Sequence, residues 1–213
     1  MIVTEAVSSY LAGLRPEPDP VLSEMEAHGA REDIPIVLPE TGQLLALLAT
    51  TRRARRVVEI GTAIGVSTLY LARSLPSDGT IVSFDIDRRR QAAARDYLDR
   101  AGVLDRVDLR LEDARLGLPK LQGSFDLAFV DGVKTQYQEY LDLLLPLLGE
   151  RALLVVDNVL LRGTVAEGRS DGAWNDEHIA NARAFNERVL SLAEFEGTAL
   201  PVGDGVLVAV RRT

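Results

Sequence analysis

The chain has 213 residues, of which 46% are apolar and 26% are charged, and it contains no cysteine. This length suits one domain or two small ones, and the lack of cysteine excludes disulfide frameworks, thiolate nucleophiles and cysteine-based zinc sites. The net charge of −8 is opposite to that of a sequence-independent nucleic-acid binder, so we predict no nucleic-acid partner. The N-terminus shows no signal-peptide pattern and no apolar run is long enough to span a membrane, so we expect a cytoplasmic protein without a membrane partner.

Short apolar runs alternate with longer amphipathic stretches along the chain. Residues 1–38 are expected to form an N-terminal helical segment that Pro16, Pro18 and Pro20 interrupt. Five runs rich in β-branched residues are then predicted to be buried strands, at 56–60, 80–84, 107–111, 125–130 and 152–156. Helical spacing marks the segments between and beyond them, at 40–51, 88–101, 137–148 and 175–192. This alternation predicts one α/β domain, 1–213, with a parallel sheet covered by helices on both faces.

The end of the chain follows a different pattern. Residues 194–200 and 206–210 flank Gly203-Asp204-Gly205, and a glycine-rich turn between two apolar runs is a hairpin signal. We therefore predict that the parallel sheet ends in an antiparallel hairpin.

A glycine-containing loop follows the first strand, at Gly61-Thr62-Ala63-Ile64-Gly65. Its spacing differs from the G-x-G-x-x-G of dinucleotide folds, and no P-loop lysine follows. Asp85 ends the second strand, where an acid can accept both hydroxyls of a ribose. A ribose without a pyrophosphate indicates S-adenosylmethionine. Alternatively, Gly65 only permits close packing and Asp85 is a solvated strand end. Asp113, after the third strand, either faces an adenine amino group or caps a helix.

Oxygen-bearing side chains follow the fourth and fifth strands. Asp131 follows one strand, and the pair Asp157-Asn158 follows the other. Because parallel strands end at the same edge of a sheet, these groups are expected to meet there. Carboxylate and carboxamide oxygens suit Mg²⁺, and also Mn²⁺ or Ca²⁺. The alternative is that they are helix caps, although a cap needs only one such residue.

Lys134 comes three residues after Asp131 and is expected to lie in the same loop. Beside a divalent cation, like-charge repulsion and partial burial lower the pKa of a lysine, which allows it to act as a base. Away from such a cluster, a loop lysine is a solvated charge.

Taken together, these residues resemble a known family. The segments Glu59 to Gly65, Val130 to Tyr137, Asp157-Asn158 and Gly203 to Gly205, with Asp85, are similar to the cation-dependent O-methyltransferases of the catechol and caffeoyl-coenzyme A type, and most to the small bacterial members. The resemblance implies a Rossmann-like class I methyltransferase fold, with a seven-stranded, mostly parallel sheet and an antiparallel C-terminal hairpin. It also implies a homodimer.

The resemblance assigns a role to each matching residue. It places the methionine half of S-adenosylmethionine at Glu59, Gly61, Thr62 and Ser67, its ribose at Asp85, and its adenine beside Asp113 and Ala114. It makes Asp131, Asp157 and Asn158 the metal ligands and Lys134 the general base, and Asp131 also belongs to the cofactor-binding and catalytic sets.

Two departures concern the substrate side. Val133 stands where the family often has a second acid, and Leu161 stands where plant members carry a tryptophan. The segment 168–175, which contains Trp174, lies outside the firm match.

The favoured hypothesis is a metal-dependent O-methyltransferase that acts on a vicinal dihydroxy aromatic, a catechol-like small molecule. A nucleotide-dependent oxidoreductase and a non-catalytic binding protein of the same fold are the alternatives.

Overall fold

The computed structural model describes residues 4–170 and 172–213, and a seven-stranded sheet forms their centre. The strands are β1 (Arg56–Ile60), β2 (Thr80–Asp85), β3 (Val107–Leu111), β4 (Phe125–Val130), β5 (Leu148–Val156), β6 (Phe195–Leu200) and β7 (Val206–Arg211). Their order across the sheet is β3-β2-β1-β4-β5-β7-β6. Strands β1 to β5 pair in parallel, whereas β7 is antiparallel to both β5 and β6. The predicted fold class, with its C-terminal hairpin, is confirmed.

Helices surround the sheet. They are α1 (Glu5–Gly13), α2 (Pro20–Glu32), α3 (Pro39–Arg52), α4 (Val66–Ser74), α5 (Arg88–Arg100), α6 (Ala114–Gly117), α7 (Tyr137–Leu144), α8 (Thr164–Glu167) and α9 (Asp176–Ser191). In the described part of the chain, no helix is both long enough and apolar enough to cross a membrane.

Alternate residues of the central strands enter two separate cores. Val57 of β1 packs in one core, with residues of α2 to α5, and the next residue, Val58, packs in the other, with residues of α7 and α9. Leu127 and Ala128 of β4 divide in the same way. Since successive strand side chains point to opposite faces, a sheet covered on both faces needs continuous apolar strands. This is why the strands stand out in the sequence as unbroken apolar runs.

The boundary between α7 and β5 differs from the prediction. The apolar spacing predicts a helix over 137–148, but α7 ends at Leu144, and a 3-10 turn over Leu145–Leu147 leads directly into β5. Pro146 explains the difference, because proline lacks the N–H that an α-helix needs and its ring clashes with the preceding turn. The leucines on both sides of it keep an apolar spacing that imitates a continuing helix.

The N-terminal segment contains two helices, α1 and α2. Pro16 and Pro18 lie between α1 and α2, and Pro20 occupies the first turn of α2, where Asp19 caps the helix by accepting from the amide of Val21. Helix α2 packs against the core through Leu22 and Met25.

The tip of the β6–β7 hairpin holds the segment that follows β5. The amide of Val159 donates to the carbonyl of Gly205 over 2.9 Å, and the amide of Leu160 donates to the carbonyl of Asp204 over 3.1 Å. The Asp204 carboxylate also accepts from the amide of Arg162. The hairpin therefore fixes the chain just beyond Asn158.

Candidate active site

The loop between β1 and α4 approaches the end of β4 very closely. Gly61 has a φ of +102°, and a Cβ placed on it would lie 2.3 Å from the main-chain oxygen of Asp131. Gly65 also has a positive φ, but the atom nearest to its Cβ position is the Cβ of Ala94 in α5, at 3.2 Å. Gly65 thus serves close helix packing, one of the two predicted alternatives, whereas Gly61 lines the cavity at the end of the sheet.

We expect Gly61→Ala to damage the site more than a backbone strain alone would. The new Cβ must displace the main chain of Asp131, and the left-handed conformation adds a cost of about 1–2 kcal/mol. We would measure the melting temperature and the calorimetric affinity for S-adenosylmethionine, and we expect both to fall. Gly102→Ala is the matched control, because Gly102 also has a positive φ but no atom lies within 4 Å of its Cβ position. Equal effects of the two substitutions would contradict the close approach to Asp131.

Asp85 supports the same loop. One carboxylate oxygen accepts from the amide of Ala63 over 2.7 Å, and the other accepts from the amide of Asp87 over 2.8 Å. Both Asp85 and Ala63 line the cavity. Because both oxygens hold main-chain amides, Asp85 is more than a solvated strand end.

Asp113 adopts the capping geometry that the sequence left as an alternative. Its carboxylate accepts from the amide of Arg115 over 2.9 Å and pairs with the Arg115 guanidinium at 2.7 Å. The guanidinium hydrogen bond holds the pKa of Asp113 below its usual value. Asp113 and Ala114 still line the cavity, so capping does not remove them from its wall.

Glu59 lies behind the glycine loop, away from the cavity wall. Its carboxyl is fully buried, and one oxygen accepts from the hydroxyls of Thr68 and Ser83, each over 2.5 Å. Burial raises its pKa. Thr62, which shares a 2.6 Å hydrogen bond with Ser83, lies with Ser67 beside a small secondary pocket that Gly61 also lines. The structure therefore sets Glu59 apart from the other predicted cofactor residues.

The predicted oxygen cluster does meet at one edge of the sheet. Asp131, Asp157 and Asn158 follow the adjacent parallel strands β4 and β5, and all three line the cavity together with Lys134. The ammonium nitrogen of Lys134 donates to Asp131 over 2.7 Å. The amide of Asn158 donates to the Asp157 carboxylate over 2.8 Å, and Asn158 has a φ of +57°. No group of three acidic or histidine side chains in the described residues is close enough to hold a metal by itself.

Burial and neighbouring charges shift the pKa values of two groups in this cluster. Burial, and then the negative charge of Asp131, raise the pKa of Asp157 to about 7. Burial lowers the pKa of Lys134, but its interactions with Tyr137 and Asp131 outweigh that effect and leave the pKa above its usual range. The lowered pKa expected for Lys134 depends on an adjacent divalent cation, and the chain's own groups act in the opposite direction.

Two aromatic residues form another part of the cavity wall. Trp174, in the loop before α9, and His178, in the first turn of α9, line the cavity, and their ring centroids lie 5.5 Å apart in an edge-to-face arrangement. Leu161 faces away from the cavity into a small core, against which Trp174 packs. The whole cavity has a volume of about 740 Å³, within the range of small-molecule sites.

Comparison with known proteins identifies the family. A family model described as O-methyltransferase matches residues 17–212. The catechol O-methyltransferase of Niastella koreensis is 32% identical over 98% of this chain and 97% of its own, and the caffeoyl-CoA O-methyltransferase of Stellaria longipes is 34% identical over 79% and 73%. The structure of TomG from Streptomyces achromogenes in complex with SAM covers 99% of this chain and 100% of its own, with a TM-score of 0.86 and 32% identity.

The chain belongs to the O-methyltransferase family. Membership confirms the resemblance and the predicted enzyme class, and it favours the methyltransferase hypothesis over the oxidoreductase and the non-catalytic protein.

Two residues that support the site of this O-methyltransferase received no role from the sequence. The hydroxyl of Tyr137 is buried and donates to the main-chain oxygen of Asp157 over 3.0 Å. The side chain of Asn186 in α9 donates to the main-chain oxygen of Val159 over 2.9 Å. Tyr137 follows Lys134 by one helical turn, and this spacing was a detectable signal. Nothing in the sequence around Asn186 marks it.

Proposed function

We propose that this O-methyltransferase transfers the methyl group of S-adenosylmethionine to one hydroxyl of a catechol-like small molecule, with the help of a divalent cation. The observation that carries the proposal is that residues of both predicted sites line one continuous cavity. Asp85 and Ala114 line it together with Lys134, Asp157 and Asn158. A donor and an acceptor held in one cavity can react as an intramolecular pair, which accounts for a large part of a rate enhancement.

The cofactor end is formed by main chain and acids. Asp85, already held by two amides, retains lone pairs for the ribose hydroxyls, and Asp113 and Ala114 are proposed to lie by the adenine. Gly61 allows a close approach of the methionine half, with Thr62 and Ser67 beside it. Glu59 is proposed to act from behind the loop, because its buried carboxyl stabilises the hydroxyl network of Thr68 and Ser83.

The residues at the other end fit a divalent cation. Asp131, Asp157 and Asn158 supply hard oxygen donors only, a set that suits Mg²⁺, Mn²⁺ or Ca²⁺. Asp157 is buried, and no cationic side chain forms an ion pair with it within the described ranges, so its negative charge is costly unless a cation compensates it. Two carboxylates are sufficient for Mg²⁺, which takes its remaining ligands from water and substrate.

Lys134 is proposed to accept the proton of the reacting hydroxyl at its side-chain nitrogen. A bound divalent cation would lower the pKa of that hydroxyl, and S-adenosylmethionine would supply the methyl group, whose bond to sulfur breaks as the bond to oxygen forms. The base must be a neutral amine, whereas the chain's own groups keep Lys134 charged. Lys134 can therefore act as a base only when another group, such as the bound cation, compensates the negative charge of Asp131 during turnover.

We further propose that the protein is a single domain and a cytoplasmic homodimer. Helix α1 and the residue after it expose Val7, Tyr10, Leu11 and Leu14 at helical spacing, which gives one apolar face. Such a face on a surface helix is characteristic of a contact between proteins.

The test is methyl transfer from labelled S-adenosylmethionine to a panel of catechols, with Mg²⁺ and again with EDTA. We expect turnover that EDTA abolishes and that excess Mg²⁺ restores. Turnover that persists in EDTA would remove the cation from the proposal. Binding of S-adenosylmethionine without methylation of any catechol would overturn the proposed acceptor class.

A further inference from the structure

The aromatic end of the cavity is built on a small core of its own. Leu161, Val165, Ile179 and Ala182 are buried together, and Trp174 packs against them. This core connects the segment after β5 with helix α9, so the indole of Trp174 rests on a fixed base. A flat aromatic wall held this way is suited to contact a flat aromatic ring.

The cap of helix α9 indicates which ring nitrogen of His178 carries the hydrogen. The side-chain oxygen of Asn175 accepts from the main-chain amide of His178 over 2.9 Å, which identifies that atom as the oxygen. The same oxygen lies 2.6 Å from Nδ1 of His178, so Nδ1 carries the hydrogen. In the neutral ring, Nε2 is then a hydrogen-bond acceptor, on a residue that lines the cavity.

Two acids lie next to this wall in the chain. Asp176 and Glu177 are exposed and lie in the chain between Trp174 and His178. Of the basic groups on the same segments, Arg169 pairs with Glu167 at 3.1 Å, and the guanidinium of Arg183 is held by the main-chain oxygen of Val165 over 2.6 Å. These two acids also interact favourably with the positive N-terminal end of the α9 helix dipole. The two exposed carboxylates disfavour a polyanion beside them, such as the phosphates of coenzyme A.

We propose that Trp174 and His178 select the acceptor, which is a free catechol with a neutral or cationic, hydrogen-bond-donating substituent and not an acyl-coenzyme A thioester. The inference rests on the proposed function and deepens it. The relatives include both a catechol and a caffeoyl-CoA methyltransferase, and the inference chooses between these two kinds of acceptor. Trp174 contacts the ring, Nε2 of His178 accepts from the substituent, and Asp176 and Glu177 exclude phosphate groups.

The test measures binding and does not need turnover. Trp174 is the only tryptophan in the chain, so its fluorescence reports on this wall. The protein, with S-adenosylhomocysteine and Mg²⁺ at about pH 8 and low ionic strength, would be titrated with 4-ethylcatechol, dopamine and caffeoyl-CoA, with free tryptophan as the optical control. We expect saturable quenching by both catechols, tightest for dopamine, and at least about tenfold weaker binding of caffeoyl-CoA.

Two variants test the named residues. His178→Phe keeps a ring but removes the acceptor, and is expected to lower the preference for dopamine over 4-ethylcatechol by roughly three- to tenfold. Glu177→Gln is expected to improve caffeoyl-CoA binding by roughly two- to fivefold. Glu187→Gln is its matched control, since it removes the same charge from the same helix about 15 Å further along the axis.

The outcomes separate the inference from the proposed function. Caffeoyl-CoA binding as tightly as 4-ethylcatechol, an unchanged dopamine preference in His178→Phe, or no response of Trp174 to any catechol would each overturn the inference. Quenching with the expected order but no methyl transfer would support the acceptor wall and count against the proposed reaction alone.

Discussion

Asp157→Asn is expected to lower methyl transfer by about two to three orders of magnitude, because it removes a charged oxygen donor where several kcal/mol of charge stabilisation are needed. The fold is expected to survive. Burial and the nearby charge of Asp131 both disfavour the ionised carboxyl, so a neutral amide of the same shape relieves an unfavourable charge. Turnover against Mg²⁺ concentration and the melting temperature would be measured together. Retained Mg²⁺-dependent turnover would contradict the assigned role.

Asp126→Asn is the control for this variant. Asp126 lies on β4, at the opposite end from Asp131, and accepts from the amides of Arg55 and Arg56 over 2.8 and 3.0 Å. Its loss is expected to lower the melting temperature and to leave turnover per folded molecule unchanged. The two substitutions should therefore have opposite effects on stability and on activity.

The raised pKa of Asp157 also predicts a dependence on pH. The folded protein retains the Asp157 proton up to about pH 7, whereas the unfolded chain loses it at about pH 4. Between these values the folded state binds more protons, so this group's contribution to the free energy of unfolding falls as pH rises. In EDTA, Asp157→Asn should be stabilised relative to the original protein more at about pH 8 than at about pH 5.

Lys134→Ala is expected to lower kcat by about 10²- to 10⁴-fold, the usual contribution of a general base, with little change in the affinity for S-adenosylmethionine. Lys134→Arg separates the two roles that a lysine can have here. Arginine keeps the charge beside Asp131 but does not release its proton, so this variant should be as inactive as the alanine variant. Stopped-assay kinetics and calorimetric titration of S-adenosylmethionine would give both quantities.

The chain offers a simple control for the lysine. Lys120 is its only other lysine, and it is exposed and paired with Glu112 at 2.6 Å. Lys120→Ala should retain full turnover. If Lys134→Ala lost cofactor affinity as strongly as kcat, or if Lys134→Arg remained active, proton acceptance by Lys134 would have to be abandoned.

The sheet was predictable because its strands are buried on both faces. Strands β1, β3 and β4 have the predicted bounds, since a short, unbroken apolar run flanked by charges is typical of a strand in a covered parallel sheet. Strand β5 begins at Leu148, before the predicted start at 152. The prediction missed this first part because Gly149, Glu150 and Arg151 are polar or small and carry no apolar signal. Local pattern thus finds the centre of a strand more readily than its ends.

The placement of Asp85, Asp131, Asp157 and Asn158 at one edge of the sheet was predictable, because each lies at or just after the end of a parallel strand. The site was not predictable where the direction of a side chain decides the outcome. Glu59 precedes Gly61 closely in sequence, but its carboxyl lies behind the loop, fully buried and bonded to Thr68 and Ser83. Trp174 reaches the cavity through a loop and a separate small core, which depend on contacts between residues far apart in the chain.

The hairpin contacts have a consequence for how the protein is made. The segment just after Asn158 is held by the main chain of Asp204 and Gly205, which the ribosome adds later than strands β1 to β5. Domains generally begin to fold from their N-terminal parts as they emerge, so β1 to β5 can assemble while this part of the rim still lacks its support. The nascent chain would therefore form the glycine loop after β1 first, and would fix the segment beyond Asn158 only when the hairpin closes.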